Sequence, residues 1–249
     1  YYMNRNFFVS DPDAFTVSRQ IVAESQNHGI IRPLTLEEAM VSIALSAVSG
    51  GMYEIGDDLP TLFPDADRMA LVKNRDLLNM ARYAHAATPL DLMTYAPEDQ
   101  MPSVFLLRES KRQAILAVFN WTEKQRRHEF SLSDLGLSAG HNQVVDVFAP
   151  NSSIAENVNT LALTLAPQSV RVVKIVDSSI PAAAPVVNVA IPENVQAGKP
   201  LTLSAQSSSD HVPALAYRWD FGDGTSAEGI SVTHTFTHAA SYTVHLNVE

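Results

Sequence analysis

Two pairs of carboxylates stand where an apolar run stops. Asp11 and Asp13 flank Pro12 in FFVSDPDAF, residues 7–15, and Asp57 and Asp58 close the segment MYEIGDDL. Carboxylates grouped in this way accept hydrogen bonds from a polar ligand, exchange protons with it, or bond to the backbone of their own turn. Alternate residues of an extended segment point to one side, which would put Asp11 and Asp13 on a common face. The remaining titratable groups make weaker candidates. The eight histidines are scattered. His234 and His238 lie four apart in THTFTH, which alternates like a strand and would hold them about 13 Å apart, too far to share a metal. The triplet DFG at Asp220 to Gly222 has the letters of the kinase magnesium motif, but neither a glycine-rich loop nor an HRD segment accompanies it. With Asp223 and Gly224 following, it reads as a hairpin turn.

The elements that must carry these carboxylates are legible around them. Phe7, Phe8 and Val9 form the continuous apolar run of a buried parallel strand. Pro12 cannot donate to a ladder and keeps Asp11 extended, so the strand ends there, with its carboxylates at the carboxyl end. In barrels and open sheets built from βα units, ligands sit at that end. Downstream, PLTLEEAMVSIALSAVSGG predicts a helix in which Thr35 and Glu38 form a capping box and Gly50 supplies a left-handed stop. Leu36, Met40, Ile43, Ala44 and Ala47 recur along it at helical spacing. MYEIGDDL then repeats the opening pattern of strand and acidic corner, so strand, helix and strand make one βαβ unit. A further helix is expected from about Asp65, as its cap, to Ala84, with Met69, Val72, Leu77 and Met80 as its apolar stripe. Arg5, just ahead of the first strand, is placed either to pair with a carboxylate or to sit in solvent.

From about Leu90 to Val176 the texture changes to short runs such as SVFLLRES, AILAVFNWT, QVVDVFAP and SVRVVKIV, the spacing of an antiparallel sandwich. DSSIPAAAPV reads as a semi-rigid linker. Short strands return in LTLSAQSS, AYRWDFGDG, SVTHTFTH and SYTVHLNVE. Trp121 and Trp219 fall in sandwich strands and suit a core plug better than a sugar platform. The expected organisation is α/β plus all-β, divided at residues 1–89, 90–177, a linker at 178–185, and 186–249.

Composition narrows the classes of partner. The 249 residues are 46% hydrophobic, ample for packed cores, and carry a formal net charge of −10. That balance argues against nucleic acid or an anionic membrane as partner and favours a neutral substrate. No cysteine is present, so neither disulfides nor thiolate metal sites arise. No apolar run reaches membrane-spanning length. YYMNRNFF has neither an initiator Met nor the layout of a signal peptide, and the chain reads like the middle of a protein.

Three ordered segments, NRNFFVSDPDAF, LTLEEAMVSIALSAVSGGMYEIGDDL and AILAVFNWT, resemble the C-terminal half of α-galactosidase-type glycoside hydrolases. In that family a DPD corner lies on the seventh barrel strand, an LT-x-EE helix follows, a GG…DDL corner lies on the eighth, and a β-sandwich with an FNW strand comes after the barrel. Separately, YRWDFGDGTSAEGISVTHTFTHAASYTVHLNV resembles a polycystic-kidney-disease (PKD) domain, an immunoglobulin-like sandwich carried by many secreted bacterial enzymes. The resemblance implies the C-terminal portion of a (β/α)8 TIM barrel, an antiparallel β-sandwich and a PKD β-sandwich. A whole barrel takes about 200 to 250 residues. Only some 90 residues precede the sandwich here, so the first six βα units are expected upstream.

What the resemblance implies for chemistry is cleavage of terminal α-galactosides with retention, by two carboxylates about 5 to 5.5 Å apart. In the family these stand on the fourth and sixth strands, so no catalytic residue is expected here. Asp11, Asp13, Asp57 and Asp58 are expected to support the site or contact substrate, the plainer reading being that they only cap turns. No cofactor or metal is implied, and the partner is an α-galactoside oligo- or polysaccharide, met in a secreted or periplasmic bacterial setting. Two alternatives stay open: a barrel-derived carbohydrate-binding or adhesion protein without catalysis, and an enzyme acting on another α-linked sugar.

Overall fold

The computed structural model describes residues 14–19, 33–83, 85–182, 186–192, 195–208 and 216–248. Asp11, Asp13, Arg5 and the strand expected at residues 7–9 lie outside them. The chain divides into two compact units, Tyr1–Ile180 and Pro181–Glu249.

Among its described residues the first unit begins with a parallel bridge between Phe15 and Ile55, with Phe15 N–H donating to Glu54 O and Gly56 N–H to Phe15 O, both at 2.8 Å. Between these segments runs α1 (Leu36–Ser49), the helix of the expected βαβ unit. Its start is the capping box: Glu38 N–H donates to Thr35 Oγ1 at 3.1 Å and Thr35 N–H to Glu38 Oε2 at 2.8 Å. Its stop is Gly50, at φ 65°. A Cβ there would lie 2.3 Å from the His85 carbonyl carbon, so the site demands glycine for space as well as for conformation.

The long helix expected from Asp65 to Ala84 is two helices, preceded by a short one. Asp58 and Pro60 open a short α2 (Leu59–Leu62), Asp65 caps α3 (Ala66–Val72), and α4 is Arg75–Tyr83. The break lies at Asn74, whose Oδ1 accepts from Leu77 N–H at 3.1 Å and whose Nδ2 donates to Val147 O at 2.7 Å. An Asn that caps a new turn and ties it to the sheet outcompetes helix continuation.

The β-rich stretch forms a sandwich. Its larger sheet holds β1 (Thr88–Pro89), β2 (Val104–Arg108), β3 (Gln113–Asn120), β5 (Asn142–Asp146), β6 (Ala149–Glu156) and β8 (Ser169–Asp177), in the order β1-β2-β3-β8-β5-β6 and antiparallel throughout. The smaller pairs β4 (Arg126–Ser131) with β7 (Thr160–Leu165). Central strand β3 is buried on both faces. Leu116 and Val118 meet Leu161, Leu163 and Leu165 of β7, while Ile115, Ala117 and Phe119 join a core with Ile43, Ala47, Leu77 and Met80 from α1 and α4. Helices and sheet therefore share one apolar layer. Lys174 of β8 and Asp76 of α4 add a 2.7 Å ion pair at its edge.

The second unit packs β9 (Val186–Ala190), β10 (Leu201–Ser208) and β13 (Ser231–His234) against β11 (Tyr217–Asp220), β12 (Ser226–Glu228) and β14 (His245–Val248). Leu203, Trp219, Phe221, Val232 and Phe236 fill the space between. The DFGDG segment is the β11–β12 turn. Asp220 Oδ1 accepts from Gly222 N–H at 2.9 Å and Asp223 Oδ1 from Thr225 N–H at 3.0 Å, bonds that stabilise the turn. Among the described residues no helix is long and apolar enough to cross a membrane.

Candidate functional site

The candidate site lies at the carboxyl ends of the two bridged segments. Parallel pairing puts Phe15 and Ile55 on one face, together with Val17 and Tyr53. Phe15 and Val17 are buried in the core with α1, and Tyr53 and Ile55 pack against it. Tyr53 meets the Phe15 ring at a centroid distance of 4.7 Å, and burial pushes its phenol far above the usual tyrosine range. The opposite face carries Thr16, Met52, Glu54 and Gly56, all exposed, and half-buried Ala14.

Where the second segment ends, Asp57 turns back to the first. Its Oδ2 accepts from Val17 N–H at 2.7 Å and its Oδ1 from Ser18 N–H at 3.0 Å. Two N–H groups that follow the bridge are thus satisfied by one carboxylate. The exposed Asp58 makes no side-chain capping bond. Its carbonyl starts α2 by accepting from Thr61 Oγ1 at 2.9 Å and Leu62 N–H at 3.0 Å. The corner bonds to loop backbone through the Asp57 side chain and through the Asp58 main chain.

A second latch joins the same two loops. Arg19 reaches Asp65 Oδ2 at 2.8 Å through Nε and Asp67 Oδ2 at 3.1 Å through a terminal nitrogen. These residues, with Thr61, Pro64 and Ala66, line an open cleft of about 420 Å³. Beneath it lies the Arg68 guanidinium, 2% exposed, which donates to Thr35 O and Leu34 O at 2.8 Å each. Burial, with Arg19 nearby as a second cation, holds its pKa below the usual arginine value. Nothing in the sequence marks Arg19, Asp67 or Arg68, and Asp65 reads there only as a cap. Their partners lie 33 to 48 residues away in the chain, and no local pattern marks them.

Of the four carboxylates proposed from sequence, Asp57 and Asp58 share this rim, while Asp11 and Asp13 lie outside the described residues. The tryptophans serve packing. Trp121 stacks on Phe119 at 4.7 Å and donates to Pro102 O at 3.1 Å, and Trp219, 2% exposed, donates to Gly229 O at 2.9 Å. His234 ends its strand with Nε2 2.8 Å from Asp223 Oδ2, its ring stacked on Phe221 at 4.0 Å.

Comparison with known proteins bears on both units. The family profile of the PKD domain matches residues 182–249. A β-L-arabinopyranosidase of glycoside hydrolase family 27 from Geobacillus stearothermophilus is similar in structure, with a TM-score of 0.55 at 19% identity over 71% of this chain and 39% of that one. A Bacteroides fragilis protein assigned as an α-galactosidase/melibiase gives a TM-score of 0.53 at 18% identity, over 68% and 34%. α-Galactosidase I from Mortierella vinacea gives 0.50 at 15% identity, over 67% and 40%. At these identities the likeness is one of fold. The chain spans about a third to two fifths of the length of each. No curated protein matches the sequence.

Proposed function

We propose that this chain is the closing portion of a glycoside hydrolase of the α-galactosidase type, cleaving terminal α-galactosides with retention of configuration in a secreted or periplasmic bacterial setting. On this reading residues 1–89 complete a (β/α)8 barrel, 90–177 form the attached sandwich, 178–185 are a linker and 186–249 an appended PKD domain. The nucleophile and the acid/base belong to earlier strands, upstream. One observation carries the reading. Phe15 and Ile55 pair in parallel, one face of the pair is covered by helices, and on the other Thr16, Met52, Glu54 and Gly56 are exposed, which supports two neighbouring strands of a βα barrel. The fold likeness to family-27 glycosidases supports the chemical class. Within the site, Asp57 fixes the rim by holding both loop ends, and Asp58, Asp11 and Asp13 border the sugar.

The test is release of nitrophenol by the intact protein from nitrophenyl α-galactoside and, in parallel, from nitrophenyl β-L-arabinopyranoside. The second sugar has the ring stereochemistry of the first but lacks its exocyclic hydroxymethyl group. Faster release from the galactoside, with α-galactose as the first-formed anomer, is expected. Cleavage of the arabinoside alone would keep the class and replace the sugar. Release from neither would overturn both sugars and leave the two alternatives, an enzyme of another α-linked sugar or a carbohydrate-binding protein without catalysis.

A further inference from the structure

From the two-sided layout of the bridged pair we infer that Glu54 is a substrate-contacting residue, its carboxylate accepting hydrogen bonds from hydroxyl groups of the bound sugar inside the barrel. The inference rests on the barrel reading given above and adds to it a carboxylate that no motif marks. Which way Glu54 points is settled by register. Tyr53 and Ile55 pack on the helical core, so their neighbours Met52, Glu54 and Gly56 project from the opposite face. Gly56 confirms the assignment independently, since a Cβ built there would lie 3.1 Å from the Ala14 Cβ and 3.5 Å from Thr16 Cγ2. Ala14 and Thr16 are thus on the same face as Glu54, away from the helices.

In a closed barrel the face turned away from the helices is the interior, normally filled by layers of bulky branched side chains. This pair presents something else there: Ala14, Thr16, Met52, Gly56 and a single carboxylate. Small residues at the strand ends leave volume unfilled. Gly56, two residues nearer the ligand end than Glu54, about 6.6 Å along the strand, carries no side chain. The column above Glu54 is therefore open toward the rim held by Asp57. A carboxylate enclosed in such an interior is costly unless donors reach it. A pyranose entering from the strand ends brings hydroxyl groups, which are donors of the right kind for an acceptor-only side chain.

The experiment compares the intact enzyme with its Glu54→Gln and Glu54→Asp variants, reading kcat and KM on nitrophenyl α-galactoside, the inhibition constant of free galactose, and the melting temperature. For Glu54→Gln we expect about 10- to 100-fold loss in kcat/KM, carried by KM, a parallel weakening of galactose, and an unchanged melting temperature. Glu54→Asp keeps the charge but withdraws it by one methylene, and should show a smaller loss of the same kind. It also covers the case in which the amide variant fails to fold. An active enzyme whose variants keep KM and the galactose constant within about twofold of the parent overturns the inference alone. So does a loss confined to melting temperature and kcat, which would mark an interior ion pair. A parent inactive on both glycosides, with no binding of free galactose, overturns the α-galactoside reading and this inference with it.

Discussion

Both oxygens of Asp57 are taken by the backbone of the neighbouring segment, and that decides what the residue does. Val17 and Ser18, whose N–H groups it accepts, are 0% and 6% exposed, so the carboxylate satisfies donors that the fold itself shields. Each orphaned buried donor costs about 1–3 kcal/mol. Asp57→Ala should therefore lower the urea midpoint of the first unit by an amount worth about 2–4 kcal/mol. Asp57→Asn, which keeps one acceptor oxygen, should lose roughly half as much. Asp58, exposed and without a capping bond, is the contrast: Asp58→Ala should stay within about 0.5 kcal/mol of the parent. Equal losses for the two alanines would mean that the corner is held by something other than the Asp57 bonds. The pairing of the two aspartates in the sequence marks the corner but not this division of labour, because adjacent carboxylates on an extended chain point to opposite sides. Glu54 escapes notice for a related reason. Alternation along one strand separates two faces without saying which one the helices cover.

The helices show where sequence reading succeeds and where it stops. The capping box of Thr35 and Glu38 and the left-handed Gly50 are local devices, complete within a few residues, and both stand as expected. The turn at Asp220 to Thr225 is legible for the same reason. The division between α3 and α4 is not local. Its determinant, Asn74, caps Leu77 on one side and on the other bonds to Val147, 73 residues away, so the apolar stripe from Met69 to Met80 reads as one helix. The βαβ unit survives as a single parallel bridge, Phe15 with Ile55, and the Arg19 to Asp65 latch over its end joins loops whose proximity only the fold creates. Asn74→Ala removes the cap of α4 and the tie of that helix to the sheet. A loss of about 1–2 kcal/mol in urea unfolding of the first unit is the expected outcome. A gain in helical circular dichroism with no loss of stability would mean instead that the break is set by packing alone.

At the scale of the molecule, the two compact units each have an apolar core of their own, and each contains one of the two tryptophans. Trp121 follows β3 and stacks on Phe119 of the layer shared with the helices, whereas Trp219 lies between the two sheets of the second unit. Single domains of this size unfold cooperatively, and chains of several domains do so domain by domain. In a Trp219→Phe variant the remaining emission reports the first unit, and in a Trp121→Phe variant the second. Introducing Asp57→Ala into both variants should move the urea midpoint seen through Trp121 and leave the one seen through Trp219 in place. A common shift would show that the units unfold as one, and the PKD sandwich would then be an integral brace of the first unit rather than an appended module. The measurement also bears on the proposed hydrolase. On that reading an appended module can be deleted without loss of turnover on a small glycoside, whereas a brace cannot, because the corner that Asp57 holds would loosen with it.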